Sequence, residues 1–287
     1  MSNFNDGYQR TLKKAVSCSG IGLHSGEKVN MSILPSKPDT GVKFKRTDLN
    51  GSSHDVTASV NNVREVNFAT KLGYNGTEVH TVEHLLAVLN GLGIDNAEVH
   101  VSQKEIPILD GSGSPIVYLI REAGISKQPV KKTYIKIDEP LEVSEDDKFI
   151  KVVPSDELQI SYFIDFNHPV LKKQSYSFTY NKIAFINNVA PARTFTFLKE
   201  VNYLRNIGLA KGGSLDNAIV VGDDSILNDH LRFDDEFVRH KVLDLLGDLF
   251  LLGKPLIGHV IAYKAGHSLH VELVKKILEK TQPWVTV

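Results

Sequence analysis

The chain has 287 residues, 41% hydrophobic and 23% charged, enough to bury the core of one large or two medium domains. Its 33 Lys and Arg balance 34 Asp and Glu to a net charge of −1, which leaves no one-signed field for nucleic acid or an anionic membrane and points to a small partner. The single cysteine, Cys18, excludes an intramolecular disulfide, "MSNFNDGYQR" lacks a signal-peptide pattern, and no apolar run approaches the ~18–20 residues that span a bilayer, so a cytoplasmic protein is expected.

In chain order, "KVNMSIL" and "GVKFKR" read as strands separated by the turn cluster "PSKPDT". "TVEHLLAVLNGLG" has the apolar spacing of a helix, with Thr81 as its N-cap and Gly93 as its stop. The strand "NAEVHVS", the turn-rich "EIPILDGSGSP" and a helix in "IVYLIREAGI" follow. The polar run "SKQPVKKT" is the best boundary in the chain, giving domains 1–126 and 133–287 joined by a linker at 127–132. Beyond it come strands in "TYIKI", "FIKVVPS" and "LQISYFIDF", irregular β-rich sequence as far as Phe195, a helix over 237–252, the strand "LIGHVIAY" and the helix "LHVELVKKILEK". Both halves run strands, helix, strand, helix, which suggests duplicated α+β domains, each a sheet packed with helices.

The helix "FVRHKVLDLLGDLFLLG" is greasy nearly all round, yet it aligns His240, Asp244 and Asp248 on one face. A carboxylate stripped of water costs several kcal/mol unless it is paired or coordinated, so this row needs a cation. His-x-x-x-Asp lets an imidazole and a carboxylate bind one metal from a single helix face. In "VHTVEHLL", His84 offers a third ligand, and Glu83 a neighbouring carboxylate about 100° round the helix. Two His and one Asp with an open fourth position is the catalytic zinc pattern, and a non-ligand Glu is what a metal-bound water needs as base. His267 in "AGHSLH" reads as a turn histidine or, if Asp248 raises its pKa, as a general acid. The Lys-Gly-Gly-Ser loop around Gly213 reads as a plain turn or as a phosphate cradle. Thr194 in "PARTFTF" reads as strand filling or as a hydroxyl for an oxyanion.

Taken in order, "GIGLHSGE", "TVEHLLAVLNGLGIDNAEV", "EIPILDGSGSP", "ARTFTF", "GGSLDNAIVV", "LRFDDEFVRHKVLDLLGDLFLLG" and "GHSL" resemble the UDP-3-O-acyl-N-acetylglucosamine deacetylase family across essentially the whole chain. These are zinc hydrolases of the committed step of lipid A biosynthesis in Gram-negative bacteria. The resemblance implies a β-α-α-β sandwich of two similar domains with the active site between them, working as a monomer. It implies one Zn²⁺, replaceable by Fe²⁺, on His84, His240 and Asp244, with Glu83 as general base. Asp248 would charge His267 as general acid, and Thr194 would hold the oxyanion. Lys241 would face the diphosphate of the UDP-sugar lipid, with Phe195 and Gly213 also at the substrate and His24 at the cleft mouth. An acyl-chain insert is implied near 172–195, where Phe178, Tyr180, Ile183, Phe185 and Ile186 supply apolar surface. In "REVNFATKLG" the chain departs from the family's small residues with Asn67 and Phe68, which alters the expected cleft rim.

Two other classes fit parts of this pattern. Mononuclear iron oxygenases also use two His and one carboxylate around open positions, but they need neither a base such as Glu83 nor a protonated His267. A sugar-nucleotide binding module with a structural metal would close its shell with a fourth His or Cys, and the sequence offers three natural ligands.

Overall fold

Leu85, Leu86, Val88, Leu89 and Leu92 clothe helix α1 (Glu83–Leu92) on every side, and all are buried. A helix apolar all round belongs inside a protein. Here it is pressed between the rest of the first half and a second buried helix. A computed structural model of the protein describes residues 7–50, 54–280 and the backbone of 284–285. Its other helices are α2 (Ser114–Ala123), the single turn α3 (Lys182–Ala184), α4 (Leu198–Asn206), α5 (Glu236–Leu249) and α6 (His267–Lys280). The architecture is α+β: mixed sheets packed with these helices.

The halves repeat one topology. In the first sheet the order is Val16–Ile21, Lys28–Pro35, Ala97–Val101, Val42–Arg46, Asp55–Thr57. In the second, Leu141–Glu145 and Lys148–Val153 form the first hairpin, Leu158–Asp165 and Lys173–Thr179 the second, and Leu256–Tyr263 lies between them. Each central strand is antiparallel to the neighbour from the first hairpin and parallel to the neighbour from the second. In each half one helix (α1, α5) precedes the central strand and another (α2, α6) follows it. Strands such as Leu256–Tyr263 bury alternate residues, so each sheet turns one face to the helices. α5 packs on the second hairpin of its own sheet, α6 on the first, and α1 on α5, which makes the order of layers sheet, helices, helices, sheet.

Gly247 sets how closely the central helices approach. A Cβ built there would lie 2.1 Å from the Glu83 carbonyl oxygen, so only glycine lets α5 rest against the first turn of α1. Gly247→Ala is expected to destabilise the protein by about 1–3 kcal/mol, the usual cost of overpacking a core, read as a lower denaturant midpoint. An unchanged midpoint would mean that the helices have room to spare.

Three local expectations change. Thr81 does not cap α1: its φ is +60°, the cap position falls to Val82, and the Thr81 hydroxyl donates instead to Glu105 Oε1 at 2.8 Å. Gly93 does stop the helix, at φ +71°. The run around 126–133 is not a loose linker, because Ile125–Lys131 is a strand paired antiparallel with Tyr8–Leu12. Its Pro129 falls where the register shifts, a place that tolerates a missing N–H. Between Thr179 and Phe195 the chain is helical rather than β-rich, with α3, capped by the Asn181 side chain, running into a π turn at Phe185–Val189.

In both halves the segment between the second hairpin and the first helix is elaborated. The first carries a three-stranded sheet over 63–79; the second carries α3, the π turn, α4 and the parallel pair Phe195–Phe197 and Ile219–Val221. Both elaborations reach the same cleft.

Candidate active site

From its first residue α5 places an ionisable side chain at every fourth position: Glu236, His240, Asp244 and Asp248, all buried. One per turn keeps them on one side of the helix. There His84, in the first turn of α1, completes a cluster in which the ligand atoms of His84, His240 and Asp244 lie within 4.8 Å of one another. His84 Nε2 is 3.6 Å and His240 Nε2 3.2 Å from Asp244 Oδ1. His240 Nδ1 donates to the Ala192 carbonyl at 3.1 Å, which leaves its Nε2 lone pair directed at the cluster. Burial would raise the Asp244 carboxyl, but His240 and Lys241 outweigh it and hold it well below the usual carboxylate range. Two imidazole nitrogens and one anionic oxygen, already converged, suit a divalent cation of the zinc type with a fourth position open.

Beside this cluster stands Glu83, 3% exposed, with one oxygen accepting the Thr70 N–H at 3.0 Å. Burial pushes its carboxyl above the ordinary value against the pull of His267 and His84. One turn further along α5, the fully buried Asp248 accepts three hydrogen bonds: from the Thr70 hydroxyl at 2.7 Å, His267 Nδ1 at 2.6 Å and His270 Nδ1 at 2.8 Å. Burial opposes both charges of the Asp248–His267 pair, yet mutual attraction wins: Asp248 is held at about 2, and the His267 imidazole is raised to about 9. His270, also fully buried, is lowered by its burial, so the proton resides on His267. The Tyr162 hydroxyl donates to the Ala265 carbonyl at 2.6 Å and lies 3.0 Å from His270 Nε2.

The sign of each shift defines a pH window. The His267 value lies above the ordinary 6.5, so its stabilising contribution is complete below 6.5 and lost as pH rises through about 9. The Asp248 value lies below the ordinary 3.8, so its contribution is complete above 3.8 and lost as pH falls through about 2. In metal-free protein the His267 ring is expected to keep its proton to about pH 9 by NMR titration, and Asp248→Asn is expected to lower that value, since burial is then opposed only by the more distant charges of Asp244 and Glu83. An unmoved titration in that variant would refute the pairing.

The groups open on a cleft of roughly 280 Å³ lined by Glu83, His84, Thr194, His240, Asp244 and His267 together with the aromatics Phe68, Phe166, Phe195 and Phe197. Phe195 packs edge-on to Phe237 at 5.0 Å and to Phe166 at 6.1 Å, forming an apolar wall next to the polar floor. Thr194 is fixed by its N–H to the Gly111 carbonyl and by Ile219 N–H to its own carbonyl. Lys241 lines the cleft too, but its Nζ is engaged 2.7 Å from Asp244 Oδ2. Phe68, at φ +63° and 54% exposed, stands at the rim of the cleft.

Two of the expected residues, Gly213 and His24, do not line the cleft directly. Gly213 is not among the cleft residues, and its loop has no spare main-chain donors: the N–H groups of Lys211, Gly212 and Gly213 go to the carbonyls of His24, Leu23 and Ala210, and that of Ser214 to Asn217 Oδ1. His24 therefore sits against this loop, with its own N–H on Glu105 and its ring beside the Phe68 main chain at the cleft rim. Of the apolar residues expected to line an acyl passage, Phe178 and Phe185 are buried in the core, Tyr180 is hydrogen-bonded to carbonyls of α1, and Ile183 is 59% exposed. The aromatic surface at the site comes from Phe68, Phe166, Phe195 and Phe197, of which Phe195 lies within the 172–195 segment.

Sequence reasoning missed Thr70, His270, Tyr162 and Glu236. His270 had a signal, since it lies one helical turn after His267, and Glu236 extends the acidic row by one turn. Thr70 and Tyr162 had none, because their partners are distant in sequence.

The chain matches the family model for UDP-3-O-acyl N-acetylglycosamine deacetylase over residues 9–279. It is 46% identical to the UDP-3-O-acyl-N-acetylglucosamine deacetylase of Pseudomonas entomophila (strain L48), covering 97% of this chain and 93% of that protein. To the enzymes of the same name from Saccharophagus degradans and Syntrophus aciditrophicus it is 45% and 44% identical, again over 97% of this chain and over 93% and 89% of theirs. Fold, cleft and relatives together define a class, an α+β hydrolase of the deacetylase kind. Within that class, the chain belongs to the UDP-3-O-acyl N-acetylglycosamine deacetylase family.

Proposed function

We propose that this protein removes the acetyl group from the C2 nitrogen of UDP-3-O-acyl-N-acetylglucosamine by metal-assisted hydrolysis, the committed step of lipid A assembly, in the cytoplasm of a Gram-negative bacterium. One observation carries the reading: the converged His84, His240 and Asp244 share a cleft with a buried carboxylate on one side and a carboxylate-charged imidazole on the other. We read residues 1–126 and 133–287 as two domains meeting at this cleft, the first giving Glu83 and His84, the second His240, Asp244 and His267.

His84, His240 and Asp244 would hold the ion, zinc by preference, with Fe²⁺ able to replace it. When bound there, zinc supplies Lewis acidity for the amide carbonyl and lowers the pKa of a water toward ~7. Glu83, kept basic by burial, takes the proton of the attacking water. The Thr194 hydroxyl donates to the oxygen on which charge develops. His267, charged by Asp248, gives its proton to the departing nitrogen, so the sugar leaves as an amine and the acyl group as acetate. The 3-O-acyl chain would lie against the Phe166, Phe195 and Phe197 wall, and Lys241, at the edge of the cleft beside Asp244, would serve the diphosphate.

Mass spectrometry of the product formed without O₂ tests the reading against its iron-oxygenase rival. Deacetylated amine and free acetate are expected under strict anaerobiosis; turnover that requires O₂ would refute hydrolysis.

A further inference from the structure

Glu236 opens the ionisable row on α5, is 0% exposed, and takes no part in the proposed chemistry. Its carboxylate accepts four hydrogen bonds: from the Arg193 N–H at 3.0 Å, Arg193 Nε at 2.9 Å, Arg193 Nη2 at 3.1 Å and the Arg232 N–H at 2.6 Å. The Arg193 fork is completed by a bond from Nη2 to the His230 carbonyl at 2.9 Å. Arg232 adds a second strut, donating to the Pro191 carbonyl at 2.8 Å and to Asp110 Oδ2 at 2.9 Å. An ion pair sunk this deeply is weak evidence of added stability, because desolvation offsets much of the attraction. Its directional geometry calls for another explanation.

The neighbours of Arg193 supply one. Ala192, just before it, presents the carbonyl that receives His240 Nδ1–H, and Thr194, just after it, faces the cleft. His240 itself lies one turn along α5 from Glu236. Both ends of the clamp are thus anchored within one residue, or one helical turn, of groups the proposed reaction needs. We propose that Arg193 and Glu236 are positioning residues: their ion pair fixes residues 192–194 in register with α5, so that Ala192 sets the tautomer and ring angle of His240 while Thr194 is held toward the substrate. Outer groups that orient a metal-ligating histidine typically govern metal affinity by 10–100-fold. Arginine is required for this, since lysine has the charge but not the planar fork.

The inference rests on the metal-site reading above, and the test separates the two. Zinc affinity is measured by competition with a chelator, alongside thermal midpoint, kcat and KM, for wild type, Arg193→Lys and the double variant Arg193→Met, Glu236→Leu. The double variant removes both buried charges at similar volume, so it is expected to fold, yet to bind zinc about 10–100-fold more weakly and to lose kcat with KM nearly unchanged. Arg193→Lys is expected to move both quantities in the same direction, and it decides alone if the double variant does not fold. Folded variants that match wild type within about twofold in zinc affinity and kcat would reduce the pair to a structural contact and overturn the inference. A wild-type protein that binds no zinc would overturn the proposed function itself, and the inference with it.

Discussion

Glu83→Gln is expected to cut kcat by about 10²–10⁴ while zinc remains bound, the range usual for loss of a general base. At 1.36 kcal/mol per decade this corresponds to about 3–5 kcal/mol of transition-state stabilisation. The amide keeps the shape of the carboxylate, and its oxygen can still accept the Thr70 N–H that positions the native side chain. It cannot take a proton from water. Glu83 stands beside the converged ligands without being one of them, so stoichiometric zinc binding should survive. Loss of zinc together with activity would place Glu83 in the coordination shell and remove the base from the mechanism.

His240→Ala should fail in the opposite way, losing the ion first and turnover as a consequence. It removes one of three ligands and leaves Asp244, at 2% exposure, with only His84 and Lys241 to answer its charge. Zinc affinity is expected to fall by more than the roughly 10–100-fold that outer-shell changes cause. Excess zinc should not restore normal kcat, because the geometry at the fourth position is lost with the ring. Full zinc occupancy in this variant, measured by elemental analysis after gel filtration, would mean that the ligand set is wrong.

These two variants rest on residues that were legible in the sequence, for a physical reason. Ionisable groups on helices otherwise clothed in leucine must be paired, coordinated or catalytic, and helical periodicity tells which of them share a face. The duplicated order of elements was equally visible, because strand and helix periods are local properties. What escaped was set by contacts across the chain. Thr81 looked like a helix cap, but Glu105 draws its hydroxyl away and holds it at positive φ. The basic run at 126–133 looked like a linker, but the N-terminal strand pairs with it. The 172–195 segment was apolar enough for a lipid passage or for core, and composition alone does not separate the two. Phe185 packs over Gly91 of α1, whereas Phe166, in a loop with no distinguishing pattern, faces the cleft. The Lys-Gly-Gly-Ser loop could be read as a plain turn or as a phosphate cradle, because nothing local shows that the N–H groups of Lys211 and Gly212 go to the carbonyls of His24 and Leu23.

The central claim is that one ion, held by His84, His240 and Asp244, is needed for deacetylation. Acetate release from UDP-3-O-acyl-N-acetylglucosamine, followed on the purified protein as isolated, after chelation and after one equivalent of zinc is returned, addresses it most directly. The account predicts release that disappears with the metal and returns at a one-to-one ratio. Release undiminished in metal-free protein, or none from folded, zinc-loaded protein, would contradict it.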